Sequence, residues 1–210
     1  MLPLVTTFVS GAFALAVALK YVRKRRPSHL AWALGLLLFA IAAFNGFLAR
    51  SSGATDVEYR LFYLFGAIAN VAWLALGTVF IVAPRYGRAA LAAVLALTAV
   101  AVYAVFTTPV DIAVAVDTGK GFPDGSLPRV LAAIGSGLGS LVLIGGALWS
   151  AWVFLRRRDQ GRRALANVII AVGVFIAAAG GTVAFTGASG ILELTNLIGV
   201  SVMFVGFLLA

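Results

Sequence analysis

Leu2–Leu19 reads LPLVTTFVSGAFALAVAL without one charge, and Lys20–Arg26 follows at once as KYVRKRR. A helix that crosses the hydrocarbon of a bilayer needs about 20 mostly apolar residues. A secretory signal carries its basic residues ahead of the apolar run, whereas here they come behind it. The order predicts a retained first transmembrane helix. It enters with its N-terminus on the non-cytoplasmic side and stops where the basic residues meet the cytosol.

Six further stretches meet the same length requirement: Leu30–Leu48, Leu61–Ala83, Ala89–Thr108, Val130–Leu155, Ala164–Phe185 and Ile191–Ala210. Prolines punctuate the links between them, at Pro27, Pro84, Pro109, Pro123 and Pro128. Pro3 stands in the opening turn of the first helix, where its missing N–H would be unpaired anyway. Of the 210 residues, 62% are hydrophobic and 11% charged, with a mean hydropathy of +1.07. That leaves too little polar material for a water-facing skin. The expected fold is an all-α membrane protein, a single domain over residues 1–210 with seven transmembrane helices.

The net charge is +9, yet its placement argues against nucleic acid. Lys20, Arg23, Lys24, Arg25 and Arg26 fill the first link, Arg85 and Arg88 the third, and Arg156, Arg157, Arg158, Arg162 and Arg163 the fifth. The other links hold Arg50, Arg60, Lys120 and Arg129, mixed with six of the seven acids. Positive charge gathers on cytoplasmic loops, so the N-terminus is expected outside and the C-terminus inside a cell's inner (plasma) membrane. The basic links also suit anionic lipid headgroups. The expected partners are therefore the lipid bilayer, those headgroups, a small polar ligand and a second copy of the chain, with no nucleic acid. The fourth link, Pro109–Arg129, is rich in Gly, Pro and Asp and reads as an irregular external loop. Its Gly119–Gly121 stretch lacks the spacing of a phosphate-binding loop.

A shift of 133 residues lays Tyr21-Val22-Arg23-Lys24-Arg25 on Phe154-Leu155-Arg156-Arg157-Arg158 and Gly66 on Gly199. The match suggests parallel repeat halves at 1–83 and 130–210 joined by a linker helix at 89–108, a plan used by transporters. In topology this 3+1+3 layout resembles the SWEET sugar transporters, although the proline–glutamine pair of that group is missing. Tyr63-Leu64-Phe65-Gly66 and Ala83-Pro84-Arg85 resemble uncharacterised seven-helix integral membrane proteins of high-GC bacteria. The resemblance implies a bacterial seven-helix protein and no activity, and no functional residue is carried over from it.

The residue types inside the spans narrow the chemistry. The chain has no cysteine, and His29, its one histidine, lies in the basic first link. No span carries a histidine for haem or metal, an aspartate pair for proteolysis, or a lysine in the last helix for a retinal Schiff base. Serines have no intramembrane base to activate them. No enzyme activity, catalytic residue, metal or cofactor is expected. Ionisable and amide groups inside the membrane are functional candidates. Those here are Asn45, Arg60, Tyr63, Asn70, Trp73, Glu193 and Asn196, most of them toward the outer half. They would line an externally open polar pocket, with Arg60 and Glu193 facing each other at its mouth. The alternative is that the asparagines only bond helix to helix. The expected function is passive transport of a small polar solute; the alternative is a sensor, receptor or scaffold that signals to a cytoplasmic partner. The glycines and serines of the fifth and sixth helices are expected to make small-residue packing faces.

Overall fold

The computed structural model describes residues 1–118, 120–157, 160–185 and 189–210. Gly119 and Arg158, parts of the fourth and fifth links read above, lie outside the described residues, as do the side chains of Asp117 and Thr118. Among the described residues there is no strand. Seven helices among those residues are long and apolar enough to cross a membrane, and the chain is a multi-pass membrane protein. They are α1 (Leu2–Lys24), α2 (Pro27–Ser52), α3 (Asp56–Val82), α4 (Gly87–Thr107), α5 (Leu127–Leu155), α6 (Gly161–Phe185) and α7 (Ser189–Leu209).

Most helices outrun the apolar stretches that announced them. Charged residues ride on helical ends, as Arg23 and Lys24 do in the last turn of α1, where cations complement the helix dipole. Arg25 then takes a left-handed conformation, φ 51°, and ends the helix. The start of α3 is polar because it is capped: Thr55 accepts from the Glu58 N–H while the Glu58 carboxylate accepts from the Thr55 N–H.

Six helices close a ring in the order α1, α2, α3, α5, α6, α7 and back to α1, while α4 packs outside it against α3 and the start of α5. One apolar core draws on all six ring members, including Phe13, Leu36, Leu74, Leu143, Val174 and Met203. Its alanines, among them Ala14, Ala75 and Ala171, let the helices close in. Large apolar side chains such as Phe8, Leu15, Leu141 and Phe175 point outward instead. A water-soluble bundle would reverse that distribution; a lipid-solvated one has no reason to hide them.

Of the expected small-residue faces, Gly135, Gly139, Gly146, Gly173 and Gly180 are at contacts, whereas Gly145 and Gly181 have open space around them. A Cβ on Gly173 would lie 2.6 Å from the Gly199 carbonyl, and one on Gly199 would lie 2.8 Å from that of Gly173, so α6 and α7 nearly touch by backbone. Gly135 of α5 sits against the Ile68 carbonyl of α3 in the same way. At that crossing both helices widen into π-helical turns, Tyr63–Ala69 in α3 and Ala133–Leu138 in α5. Such turns disturb the regular carbonyl pairing, and the Ser136 hydroxyl donates to the Ala67 carbonyl at 2.7 Å.

The fourth link departs from the expected irregular loop. Asp111 accepts from the Val114 N–H and starts a short helix, Ile112–Thr118. The returning segment of the link is pinned by the Asp111 N–H donating to the Gly121 carbonyl and the Gly121 N–H donating to the Tyr59 hydroxyl, each at 2.9 Å. Phe122 is 1% exposed, wedged between Tyr59 and Tyr63. Gly and Pro density marked the turns correctly, but it hid an aromatic anchor.

Candidate functional site

A cavity of about 180 Å³ opens at the Met1 end of the ring, where α1, α2, α3 and α7 converge. Pro3 and Thr6 of α1 form one wall, Ala43, Gly46, Ala49 and Arg50 of α2 the next, with Tyr59 and Phe62 of α3 opposite. Leu192, Glu193 and Asn196 of α7 complete it. Ala43, the deepest residue on α2, lies nine residues before the helix ends at Ser52. At 1.5 Å per residue the vestibule is about 14 Å deep, less than half of the roughly 30 Å hydrocarbon core.

Below it the ring is sealed. Phe13 is fully buried, stacked on Phe204 at 4.8 Å and tilted against Phe207 at 5.2 Å, with the Trp32 edge 6.4 Å away. The vestibule is a one-sided pocket.

Its charged feature is an ion pair. Arg50 Nε lies 2.7 Å from Glu193 Oε1 and ties the last turn of α2 to the first turns of α7. The two side chains differ in exposure, 57% for Arg50 and 18% for Glu193, so the cation forms the rim and the carboxylate the wall. Asn196, three residues after Glu193, stands on the same face of α7.

Of the seven residues expected to share a pocket, only Glu193 and Asn196 line the vestibule. Arg60 and Glu193 do not face each other. Arg60 bonds Asp56 at 2.6 Å, donates to the Val105 carbonyl, and donates to the Thr108 carbonyl at 2.9 Å. It is 9% exposed and serves as a clamp between α3 and the end of α4. Asn45 is buried and donates to the Ile41 carbonyl of its own helix at 2.8 Å. Asn70 is buried where α3 meets Gly35 of α2, its side-chain oxygen accepting from the Val71 N–H at 2.6 Å. Tyr63 is buried beside Tyr59 and Phe122, its hydroxyl without a hydrogen-bond partner among the described residues. Trp73 is half-buried on α3, away from the vestibule.

The residues that sequence reasoning missed are Arg50, Tyr59 and Phe62. Arg50 counted only toward topology, yet a signal existed. Arg50 and Glu193 are opposite charges placed at the margins of apolar runs on the same side of the membrane. No protein-family model, no curated protein and no solved structure matches the chain. Chemically, the vestibule offers the Arg50 guanidinium, the Glu193 carboxylate, the Asn196 amide and the Thr6 and Tyr59 hydroxyls on otherwise apolar walls, and the Met1 ammonium also acts on Glu193. That suits binding by charge and hydrogen bond rather than covalent chemistry. Among the described residues no three metal-ligating side chains gather.

Proposed function

We propose that the chain is a plasma-membrane carrier that lets a small polar solute cross passively, with the vestibule as its outward-facing binding site. The observation that carries this is the vestibule itself, a pocket with convergent charged and amide groups, the usual form of a small-ligand site. Twelve of the sixteen Lys and Arg residues fall in the first, third and fifth links, on the side away from Met1 by the order of the helices, which supports a vestibule opening to the outside. The ring order supports the repeat reading as well, because α1–α3 and α5–α7 follow one another as two triplets and α4 stands apart. With the core packed around Phe13, passage works by alternating access and not through a standing pore. The close glycine contacts of α6 with α7 and the π-helical turns of α3 and α5 are where such a shift would occur.

A sensor is the second reading, favoured by that same sealed core: six helices meeting at one packed centre would transmit movement without passing solute. Flux into proteoliposomes separates the two. The carrier predicts saturable uptake of labelled small polar solutes above empty vesicles, abolished by Ala49→Trp, which fills the vestibule. Binding with no uptake would make the protein a sensor, and uptake that ignores Ala49→Trp would remove the vestibule from the pathway.

A further inference from the structure

Resting on that solute-binding reading, we propose that the vestibule selects a compact zwitterion, with Arg50 taking its anionic oxygens and Glu193 and Asn196 its ammonium group. The ion pair is only partly used up. It engages Nε and Oε1, whereas a guanidinium has five N–H donors and a carboxylate about four acceptor positions. Among the described residues neither side chain makes another hydrogen bond or ion pair. The terminal nitrogens of Arg50 and the second oxygen of Glu193 therefore remain for a ligand.

Charge balance then decides the class. A lone cation meets Arg50 as well as Glu193, and a lone anion meets Glu193 as well as Arg50. At the 2.7 Å separation of the pair, attraction and repulsion from the pair largely cancel for either, and the Met1 ammonium that also acts on Glu193 counts further against a lone cation, which makes a lone anion the critical competitor. A zwitterion laid antiparallel to the pair gains at both ends and forms a closed ring of alternating charges. The Asn196 carbonyl oxygen adds an acceptor on the Glu193 side of α7.

Size decides the rest. A cavity of about 180 Å³ has room for a molecule of several heavy atoms. That is room for glycine, alanine or an aminoethyl phosphate within the walls. The methyl and methylene walls of Ala43, Ala49 and Leu192 suit a small aliphatic side chain. The same charge pattern occurs in free amino acids and in the headgroup of phosphatidylethanolamine, so the source must be tested.

Calorimetric titration of the full chain in phosphatidylcholine nanodiscs, with alanine, ethylamine, propionate and glycerol, tests the class. Alanine should bind at least about tenfold more tightly than the other three, the scale expected when a charge-assisted bond is added. Glu193→Gln and Arg50→Gln should each weaken alanine by about tenfold or more. Repeating the titration in nanodiscs rich in phosphatidylethanolamine assigns the source. Unchanged alanine binding points to a free solute, and loss of it to the headgroup, both on the proposed chemistry. Alanine binding no better than propionate or ethylamine would overturn the proposal, and that comparison needs no variant to fold. Uptake of glycerol without alanine binding would overturn the zwitterion and leave the carrier standing. If neither alanine binding nor any uptake is found, the two fall together.

Discussion

Replacing Arg60 with Met tests what holds α4 in place. Thr108 precedes Pro109, and a residue before proline is pushed out of the helical region. Thr108 accordingly adopts φ −76°, ψ 133°, and α4 ends there. The last carbonyls of a helix are then left without intrahelical donors. Arg60 reaches across from α3 and supplies two of the missing partners, at Val105 and Thr108. Hydrogen bonds from a charged donor contribute about 1.5–3 kcal/mol each. Val105 is fully buried, whereas water can reach the partly exposed Thr108 once Arg60 is gone. Arg60→Met should therefore cost roughly 3–4 kcal/mol. The ion pair with Asp56 is a minor part, because that carboxylate is 52% exposed and such pairs contribute less than about 1 kcal/mol.

The measurement is reversible unfolding in mixed micelles with increasing SDS, followed by circular dichroism. Asp56→Asn should lose less than about 1 kcal/mol. Arg60→Lys, with one ammonium in place of the planar fork, should fall between, at roughly 1.5–2 kcal/mol. Were Asp56→Asn to cost as much as Arg60→Met, the ion pair and not the carbonyls would be the clamp. Arg60→Met within about 1 kcal/mol of the parent would refute the whole account.

Four further substitutions probe separate positions. Gly173→Leu should destabilise by more than about 3 kcal/mol or prevent folding, because its side chain would enter the Gly199 carbonyl and Met203. Gly11→Ala, with open space around it, should stabilise by up to about 1 kcal/mol in the same SDS titration. Ser136→Ala removes the donor to Ala67 and should cost about 1 kcal/mol; a loss below the error of the titration would show that the π-helical turns hold without it. Phe122→Ala empties the site between Tyr59 and Tyr63 and should cost about 3–5 kcal/mol. Limited proteolysis should then cut the link between α4 and α5 faster, and an unchanged cleavage rate would mean that the backbone bonds alone pin it.

The seven spans were legible because lipid allows few ways to cross it: each crossing needs a long apolar run, and the runs from Leu2 and Leu30 onward stand out against the basic links. The helix ends were less legible, since Lys20–Lys24 and Asp56–Arg60 are helical but polar. The π-helical turns left no mark that hydropathy could register. For the site, depth within the span explains which of the candidate residues reach the vestibule. Polar groups more than a turn inside an apolar helix tend to satisfy themselves locally: Thr6, Ser10, Asn45 and Thr78 all donate to the carbonyl four residues earlier on their own helix. A hydroxyl so engaged has spent its one proton, and Asn45, bonded back to its own helix, does not line the vestibule. Near the helix ends the situation reverses. Carbonyls lack donors there, the chain turns, and side chains from different helices come level with one another. Arg60 finds the end of α4, and Arg50 finds Glu193. Which end meets which depends on the order of helices around the ring, and no spacing within α2 or α7 encodes that α1 and α2 bring Arg50 beside the last helix. A charge at the margin of an apolar run is therefore more than a topology signal, and its partner is to be sought on the margins of the other runs that share its side of the membrane.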